Sequence, residues 1–151
     1  KVGKQWMLIT AGDAAGFNTM TASWGGFGHL WQREVATIYI RPQRYTKTFV
    51  DNNELFTVSF YGEEYRKALQ LCGTLSGKDT NKTEQAGLTP YFVEGTTAFA
   101  EAELILVCRK LYHQDMLPEL FDDPAVEQAM YPQKDYHTLY IGEIVKVLRK
   151  A

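Results

Sequence analysis

The segment NTMTASWGGFG, Asn18 to Gly28, combines residue types that suit the binding of a flat ring. Small hydrogen-bonding side chains alternate with apolar ones, whereas a strand that only filled a core would carry more Val and Ile. Amides and hydroxyls can contact the polar edge of a ring, while Met20 or Trp24 packs on its face. Because the segment through Trp24 holds no His, Asp, Glu or Cys, we expect it to bind and tune a ring rather than transfer protons. The candidate ring-binding residues are Asn18, Thr19, Met20, Thr21, Ala22, Ser23 and Trp24.

A second segment, RPQRYT, has the composition of an anion site. It follows an apolar strand and precedes KTFVDNN, which is predicted to be a short helical turn. Guanidinium groups, a hydroxyl and unpaired backbone N–H groups then meet at a helix start, where anions bind. A solvated basic turn is the alternative. The candidate residues are Arg41, Arg44, Tyr45 and Thr46.

A third segment, SGKDTNK, lies between two predicted helices and can wrap a polar ligand. An ordinary hydrophilic loop is the alternative interpretation. Its candidate binding residues are Ser76, Gly77, Lys78 and Lys82.

Taken together, the three segments describe one ligand with a phosphate and a flat heteroaromatic ring. Flavin mononucleotide (FMN) meets these requirements. Pyridoxal phosphate meets them as well, but no lysine lies in a context that suggests a Schiff base.

Other familiar sites are absent from the sequence. The glycines of GFGHLW neither open a helix nor complete a dinucleotide fingerprint, and GTLSGK is one residue short of a P-loop. No Gly-x-Ser-x-Gly elbow is present. His29, His113 and His137 show no metal-ligand spacing with each other or with Cys72 and Cys108, so we expect no metal site.

The hydrophobic patterning predicts a mainly β fold, a β-barrel with a few helices in one domain spanning residues 1–151. VATIYI and LFTVSFY are predicted strands, FAEAELILVCRKLY and HTLYIGEIVKVL are predicted as two long ones, and the glycines after Trp24 as a loop. EEYRKALQLCG is a predicted helix ending at Gly73. The proline-rich segment Leu117–Lys134 is predicted to leave the barrel and to hold a helix at Pro124–Met130.

Composition limits the partners and the compartment. The net charge of −2 argues against a nucleic-acid partner, which would favour a basic surface. No apolar run approaches the ~20 residues of a membrane span, so we expect no membrane association. Cys72 and Cys108 fall on apolar patterns and are predicted to be buried free thiols in a reducing compartment, the cytoplasm.

The order and spacing of NTMTASWGG, RPQRYT, LCGTLSGKDTNK and HTLYIGEIV resemble the flavin reductase-like family, in particular its flavoredoxin-type branch. The resemblance covers nearly the whole chain. It implies an FMN-binding split β-barrel that works as a homodimer, with the flavin near the subunit boundary.

The resemblance also implies roles for residues. Asn18 to Ser23 would line the flavin, while Arg41, Arg44 and Thr46 would hold its phosphate. Ser76, Gly77 and Lys82 match the family's second ligand loop, and His137 is a candidate near the ring. The implied activity is electron transfer from NAD(P)H through FMN to an acceptor; the alternative is an FMN electron carrier reduced by a redox protein partner.

Overall fold

The structure, a computed structural model, describes residues 1–78 and 81–151. Nine strands and five short α-helices lie in these residues, and the mainly β prediction is confirmed. The strands are β1 (Met7–Asp13), β2 (Gly16–Ala22), β3 (Gly25–Leu30), β4 (Arg33–Ile40), β5 (Leu55–Phe60), β6 (Pro90–Val93), β7 (Thr96–Phe99), β8 (Leu104–Asp115) and β9 (Thr138–Arg149). The helices are α1 (Val2–Gln5), α2 (Thr46–Asn52), α3 (Arg66–Thr74), α4 (Lys82–Gln85) and α5 (Pro124–Met130), with 3₁₀ turns at Glu63–Tyr65 and Pro118–Leu120.

Seven strands form one antiparallel sheet in the order β2-β1-β5-β8-β9-β4-β3, and β6 pairs with β7 separately. Side chains from strands near both ends of the sheet pack in one buried cluster, which shows that the sheet curls. Ile9 of β1, Met20 of β2 and Ile38 of β4 belong to this cluster, together with Phe56 and Tyr140. On edge strand β3, Phe27 also contacts Phe60 of β5, with 5.9 Å between ring centroids.

A second cluster lies where α3 and the β6–β7 pair cover the sheet. Leu69 and Cys72 of α3 pack there with Leu8 and Val107. Cys72 and Cys108 are buried free thiols, as predicted, and burial raises the pKa of Cys108 to about 12. Helix α3 is thereby fixed beside β2, and its C-terminal end reaches the predicted binding segments.

The structure corrects three predicted elements. The glycine-rich segment after Trp24 forms strand β3 rather than a loop. FAEAELILVCRKLY is not one strand, since β7 ends at Phe99 and β8 begins at Leu104. The helix predicted to stop at Gly73 continues to Thr74.

The segment between β8 and β9 agrees with its prediction. Helix α5 spans Pro124–Met130, with proline in its first turn, and Asp123 caps it by accepting a hydrogen bond from the Ala125 N–H at 3.0 Å. No helix among the described residues has the length and hydropathy needed to cross a membrane. Nor do those residues bring three His, Cys, Asp or Glu side chains together in a way that could hold a metal ion.

Candidate flavin site

A pocket that we call the ring pocket opens beside the end of β2. Strand β2 brings the predicted ring-binding segment to it, β4 brings Tyr39, and the start of β9 brings His137. The lining residues are Met20, Thr21, Ala22, Ser23, Trp24, Tyr39, Arg41, Arg44 and His137. The pocket therefore joins the opening segment to parts of the chain more than 100 residues away.

A second pocket, the anion pocket, lies beside the first and shares Arg44 with it. It is formed where α2 begins and α3 ends. Its lining residues are Gln43, Arg44, Tyr45, Thr46, Thr74, Leu75, Ser76 and Lys82. The structure thus brings the RPQRYT and SGKDTNK segments together, with the ring-binding segment adjacent.

Arg44 and Lys82 supply the positive charge of the anion pocket. Arg44 Nη1 donates to the Gly73 carbonyl at 3.1 Å, and Lys82 Nζ donates to the carbonyls of Cys72 and Leu75, both at 3.1 Å. These carbonyls lie at the C-terminal end of α3, where the helix dipole favours cations. Neither side chain belongs to any ion pair within the described residues.

Arg44 Nη2 is buried and has no hydrogen-bond partner in the described part of the chain. A buried guanidinium with an unused donor is costly unless an anion completes it. Burial lowers the pKa of Arg44, and burial together with the Arg44 charge lowers the pKa of Lys82 to about 8. The positive charges of Arg44 and Lys82 repel each other, and Arg44 Nη2 has no acceptor among the described residues. A phosphate group would offset the repulsion and accept that hydrogen bond.

Asn18, Thr46 and Gly77 connect the three predicted segments. Asn18 Nδ2 lies 2.9 Å from Thr46 Oγ1 and donates to it, and both side chains are buried. A Cβ atom on Gly77 would lie 1.9 Å from Asn18 Oδ1, so only glycine allows this approach. Asn18 therefore holds the segments against each other instead of lining the ring pocket.

The other predicted ring-binding residues of strand β2 differ in what their side chains contact. Thr19 is fully buried, with its Oγ1 bonded to Thr10 Oγ1 at 2.7 Å and to the Ile9 carbonyl at 3.1 Å, and it does not line the ring pocket. Thr21 Oγ1 donates to the Leu69 carbonyl of α3. Met20 packs in the buried cluster and also lines the ring pocket.

Arg41 lines the ring pocket together with Arg44, while only Arg44 also lines the anion pocket. Arg41 Nη1 forms an ion pair with Asp135 Oδ1 at 3.0 Å, and Arg41 Nη2 donates to the Met130 carbonyl at 3.1 Å. The ion pair with Asp135 and the bond to Met130 fasten the segment between β8 and β9 to the pocket wall.

His137 is 7% exposed and contacts Trp24, with ring centroids 5.2 Å apart. Burial, followed by the charge of Arg41, lowers the pKa of His137 to about 4. The imidazole is therefore neutral near pH 7, where it can form hydrogen bonds but holds no extra proton to deliver.

The remaining predicted residues lie at the edges of the site. Tyr45 precedes α2 and packs on Phe49, with 5.2 Å between ring centroids. Ser76 Oγ accepts a hydrogen bond from the Lys78 N–H at 3.2 Å, while the exposed Lys78 lines neither pocket.

The chain matches the model of the flavin reductase like domain over residues 1–151. The chain belongs to the flavin reductase-like family. Among curated proteins, none matches it significantly. The orphan Arg44 donor, the neighbouring Lys82 and the adjoining ring pocket fit a flavin that carries a phosphate.

Solved structures of this family share the fold of the chain. A flavoredoxin of Desulfovibrio vulgaris (Miyazaki F) is 21% identical with a TM-score of 0.75, over 96% of this chain and 69% of that one. An FMN-binding domain of a flavin reductases-like enzyme from Shewanella baltica is 18% identical, TM-score 0.70, over 95% and 67%. An NADH:FAD oxidoreductase of Streptomyces globisporus, in complex with NAD and FAD fragments, is 16% identical, TM-score 0.72, over 97% and 74%. The fold of this flavin reductase-like chain is accordingly the split β-barrel.

Sequence reasoning missed several residues of the site. Tyr39 follows the strand alternation of β4, and this pattern could have placed it on one face with Thr37. Tyr131, which contacts His137, lies in a proline-rich segment without periodicity, so no sequence signal indicated it. Gln43 lies in the turn between β4 and α2, and Thr74 is the last residue of α3, so only the tertiary structure brings them together.

The lowered pKa of Lys82 predicts a pH-dependent affinity for FMN. Lys82 is charged below pH 8 and neutral above it, so FMN binding should weaken as pH rises from 7 to 9.5, by about tenfold if one charged contact of ~1.5 kcal/mol is lost. Fluorescence titration with FMN at each pH measures the effect. Riboflavin serves as the control ligand and Lys82→Met as the control protein, and both should give flat profiles. An FMN affinity that is also flat in the parent would exclude Lys82 as a phosphate contact.

Proposed function

We propose that this protein is an FMN-dependent oxidoreductase that takes hydride from NADH or NADPH and passes the electrons to an acceptor. The observation that carries the proposal is that the ring pocket and the anion pocket lie side by side and share Arg44. A phosphate on Arg44 and Lys82 leaves the attached ring beside the residues from Thr21 to Trp24. The flavin supplies the hydride and one-electron chemistry, while the protein binds and orients it.

The chain's own residues support this assignment. Trp24 offers a ring face and Ser23 a hydroxyl at the pocket. His137 is a neutral imidazole, so we propose that it assists by packing and hydrogen bonding rather than by acid–base catalysis. Two buried thiols without a disulfide suit the cytoplasm as the compartment.

Flavin content and steady-state turnover test the proposal. The protein mixed with FMN should show a bound-flavin absorption spectrum, and FMN should bind more tightly than riboflavin. With FMN bound, it should oxidise NADH or NADPH when an artificial acceptor is supplied. Extraction of pyridoxal phosphate from the purified protein, with no affinity for FMN, would contradict the proposal.

A second candidate function is an electron carrier reduced by a redox protein partner. One observation favours it: Asp115–Asp135, beside His137, contains six acidic residues and one basic one. An acidic segment next to the ring pocket disfavours an anionic nucleotide and favours a basic protein partner. Bound FMN that is reduced by a reductase protein but not by NADH or NADPH would select this function.

We further propose that the protein works as a homodimer. Several large apolar side chains of the β3–β4 hairpin and the neighbouring sheet are exposed, among them Phe27, Trp31 and Tyr112. Trp31 and Tyr112 contact each other, with centroids 6.1 Å apart. Apolar surface of this extent is typical of an interface.

Light scattering should therefore return about twice the chain mass of 17.2 kDa. Replacing Trp31 with Glu places a charge on the apolar surface and should shift the dimer towards monomer. Val126→Glu, at an exposed position of α5, is the matched control and should leave the mass unchanged. A parent protein that is monomeric with FMN bound would contradict the dimer.

A further inference from the structure

The imidazole of His137 has one ring nitrogen with a partner and one without. Nδ1 lies 2.6 Å from the hydroxyl oxygen of Tyr131. Nε2 has no hydrogen-bond partner among the residues the structure describes, although the side chain is 93% buried and lines the ring pocket. Because His137 lines the ring pocket, Nε2 is placed to form a hydrogen bond with a ligand there.

The Tyr131 hydroxyl decides which nitrogen carries the proton. Its single proton has two possible acceptors, His137 Nδ1 at 2.6 Å and Met116 Sδ at 3.5 Å. A thioether sulfur is a weak acceptor and an imidazole lone pair a strong one, so the hydroxyl proton points to Nδ1. In a neutral imidazole the remaining proton is then on Nε2.

Tyr131 is held firmly enough to impose this arrangement. Tyr131 directly follows helix α5, and its N–H donates to the Glu127 carbonyl of that helix at 2.9 Å. The residue is 5% exposed. The Arg41 guanidinium, which is paired with Asp135, lies over the ring at 5.0 Å from its centroid. The ring of Tyr136 packs on it with centroids 5.0 Å apart.

We propose that Tyr131 is a positioning residue, which fixes His137 in its Nε2–H form and so provides a neutral hydrogen-bond donor in the ring pocket. The chemical class of ligand that it takes is a carbonyl or anionic oxygen or nitrogen on a flat ring. Only the identification of that ring as a flavin rests on the proposed function.

Burial, more than the charges around it, keeps the imidazole of His137 neutral. Arg41 and Asp135 are the charged groups that act on it, and Trp24, Tyr39 and Tyr131 are the aromatic rings packed against it. Burial and the Arg41 cation both oppose a second proton on the imidazole, and they outweigh the Asp135 carboxylate, which favours it. The donor therefore stays in place across the neutral pH range, whereas an imidazolium would lose its charge as pH rises.

Nitrogen-15 NMR of the histidine side chains at pH 7, in the ligand-free protein, tests the inference. The chain has three histidines, and His137→Gln identifies the relevant signals. In the parent protein the Nε2–H form of His137 should exceed the Nδ1–H form by at least about tenfold. Tyr131→Phe removes the hydroxyl and keeps the ring, and it should reduce that ratio severalfold.

Two matched variants distinguish the loss of the Tyr131 hydroxyl bond from a general disturbance of the structure around His137. Tyr136→Phe makes the same change in the neighbouring ring, whose hydroxyl is bonded to Glu127, and should leave the ratio unchanged. Met116→Leu removes the competing sulfur and should also leave it unchanged. An Nδ1–H form in the parent, an unchanged ratio in Tyr131→Phe, or a changed ratio in Met116→Leu would overturn the inference.

The potential of bound FMN provides a second readout. Loss of a fixed donor weakens binding of the reduced, more negative ring relative to the oxidised one. A tenfold relative loss in Tyr131→Phe lowers the two-electron midpoint potential by about 30 mV. Tyr136→Phe should leave the potential unchanged, and an equal shift in both variants would overturn the inference. Failure to bind FMN at all would refute the proposed function, while the ligand-free tautomer would still decide the role of Tyr131.

Discussion

Arg44→Ala should weaken FMN binding ten- to a hundredfold and leave riboflavin binding unchanged. A hydrogen bond to a charged group contributes roughly 1.5–3 kcal/mol, and every ~1.4 kcal/mol is tenfold in affinity. Arg44 has a buried donor without a partner, so its contact with a phosphate involves no competing protein acceptor. Riboflavin has no phosphate and does not use this donor.

The same variant should barely destabilise the ligand-free protein. Its one described hydrogen bond, to the Gly73 carbonyl, is offset by the cost of burying an unpaired guanidinium. Thermal unfolding with and without FMN distinguishes the two effects, because ligand stabilisation depends on concentration relative to Kd. Arg33→Ala is the matched control, since Arg33 is paired with Glu143 at 3.6 Å on the hairpin. Equal FMN affinity in Arg44→Ala and Arg33→Ala would contradict the phosphate assignment.

The strands were predictable from the sequence where polar and apolar side chains alternate. They were not predictable where only the hydrogen bonds to a neighbouring strand define them. LFTVSFY shows the alternation of β5 directly. Strand β3 contains three glycines, and at Gly26 and Gly28 an added Cβ would meet nothing within 4 Å. Its hairpin turn is formed by Trp31 and Gln32 at positive φ, residues that give no turn signal in a sequence.

The sequence predicted which segments form the site, but not which group each side chain of the site contacts. Local composition brought Arg41 and Arg44 together as cations, and both do reach the site. Their roles differ because Asp135, 94 residues along the chain, forms an ion pair with Arg41 and not with Arg44. Lys82 was predicted as a ligand contact, and it also donates hydrogen bonds to the carbonyls of Cys72 and Leu75. These acceptors at the end of α3 are not visible in the sequence.

Gly77→Ala should destabilise the protein by about 1–3 kcal/mol and weaken FMN binding at least tenfold, which tests how the segments are held together. The new methyl group would lie 1.9 Å from Asn18 Oδ1. Either the loop moves away, which displaces Ser76 from the anion pocket, or Asn18 moves and loses its hydrogen bond to Thr46. Urea unfolding and FMN titration measure the two effects.

A double-mutant cycle assigns the effect of Gly77→Ala to this one contact. Asn18→Ala removes the colliding atom at the cost of the bond to Thr46, so Gly77→Ala should be nearly neutral when introduced into Asn18→Ala. Gly28→Ala, where an added Cβ meets nothing within 4 Å, is the control and should cost little in either background. If Gly77→Ala destabilises the parent and Asn18→Ala equally, the new methyl group collides with an atom other than those of the Asn18 side chain. The close approach of Gly77 to Asn18 would then not be what aligns the anion pocket with the ring pocket.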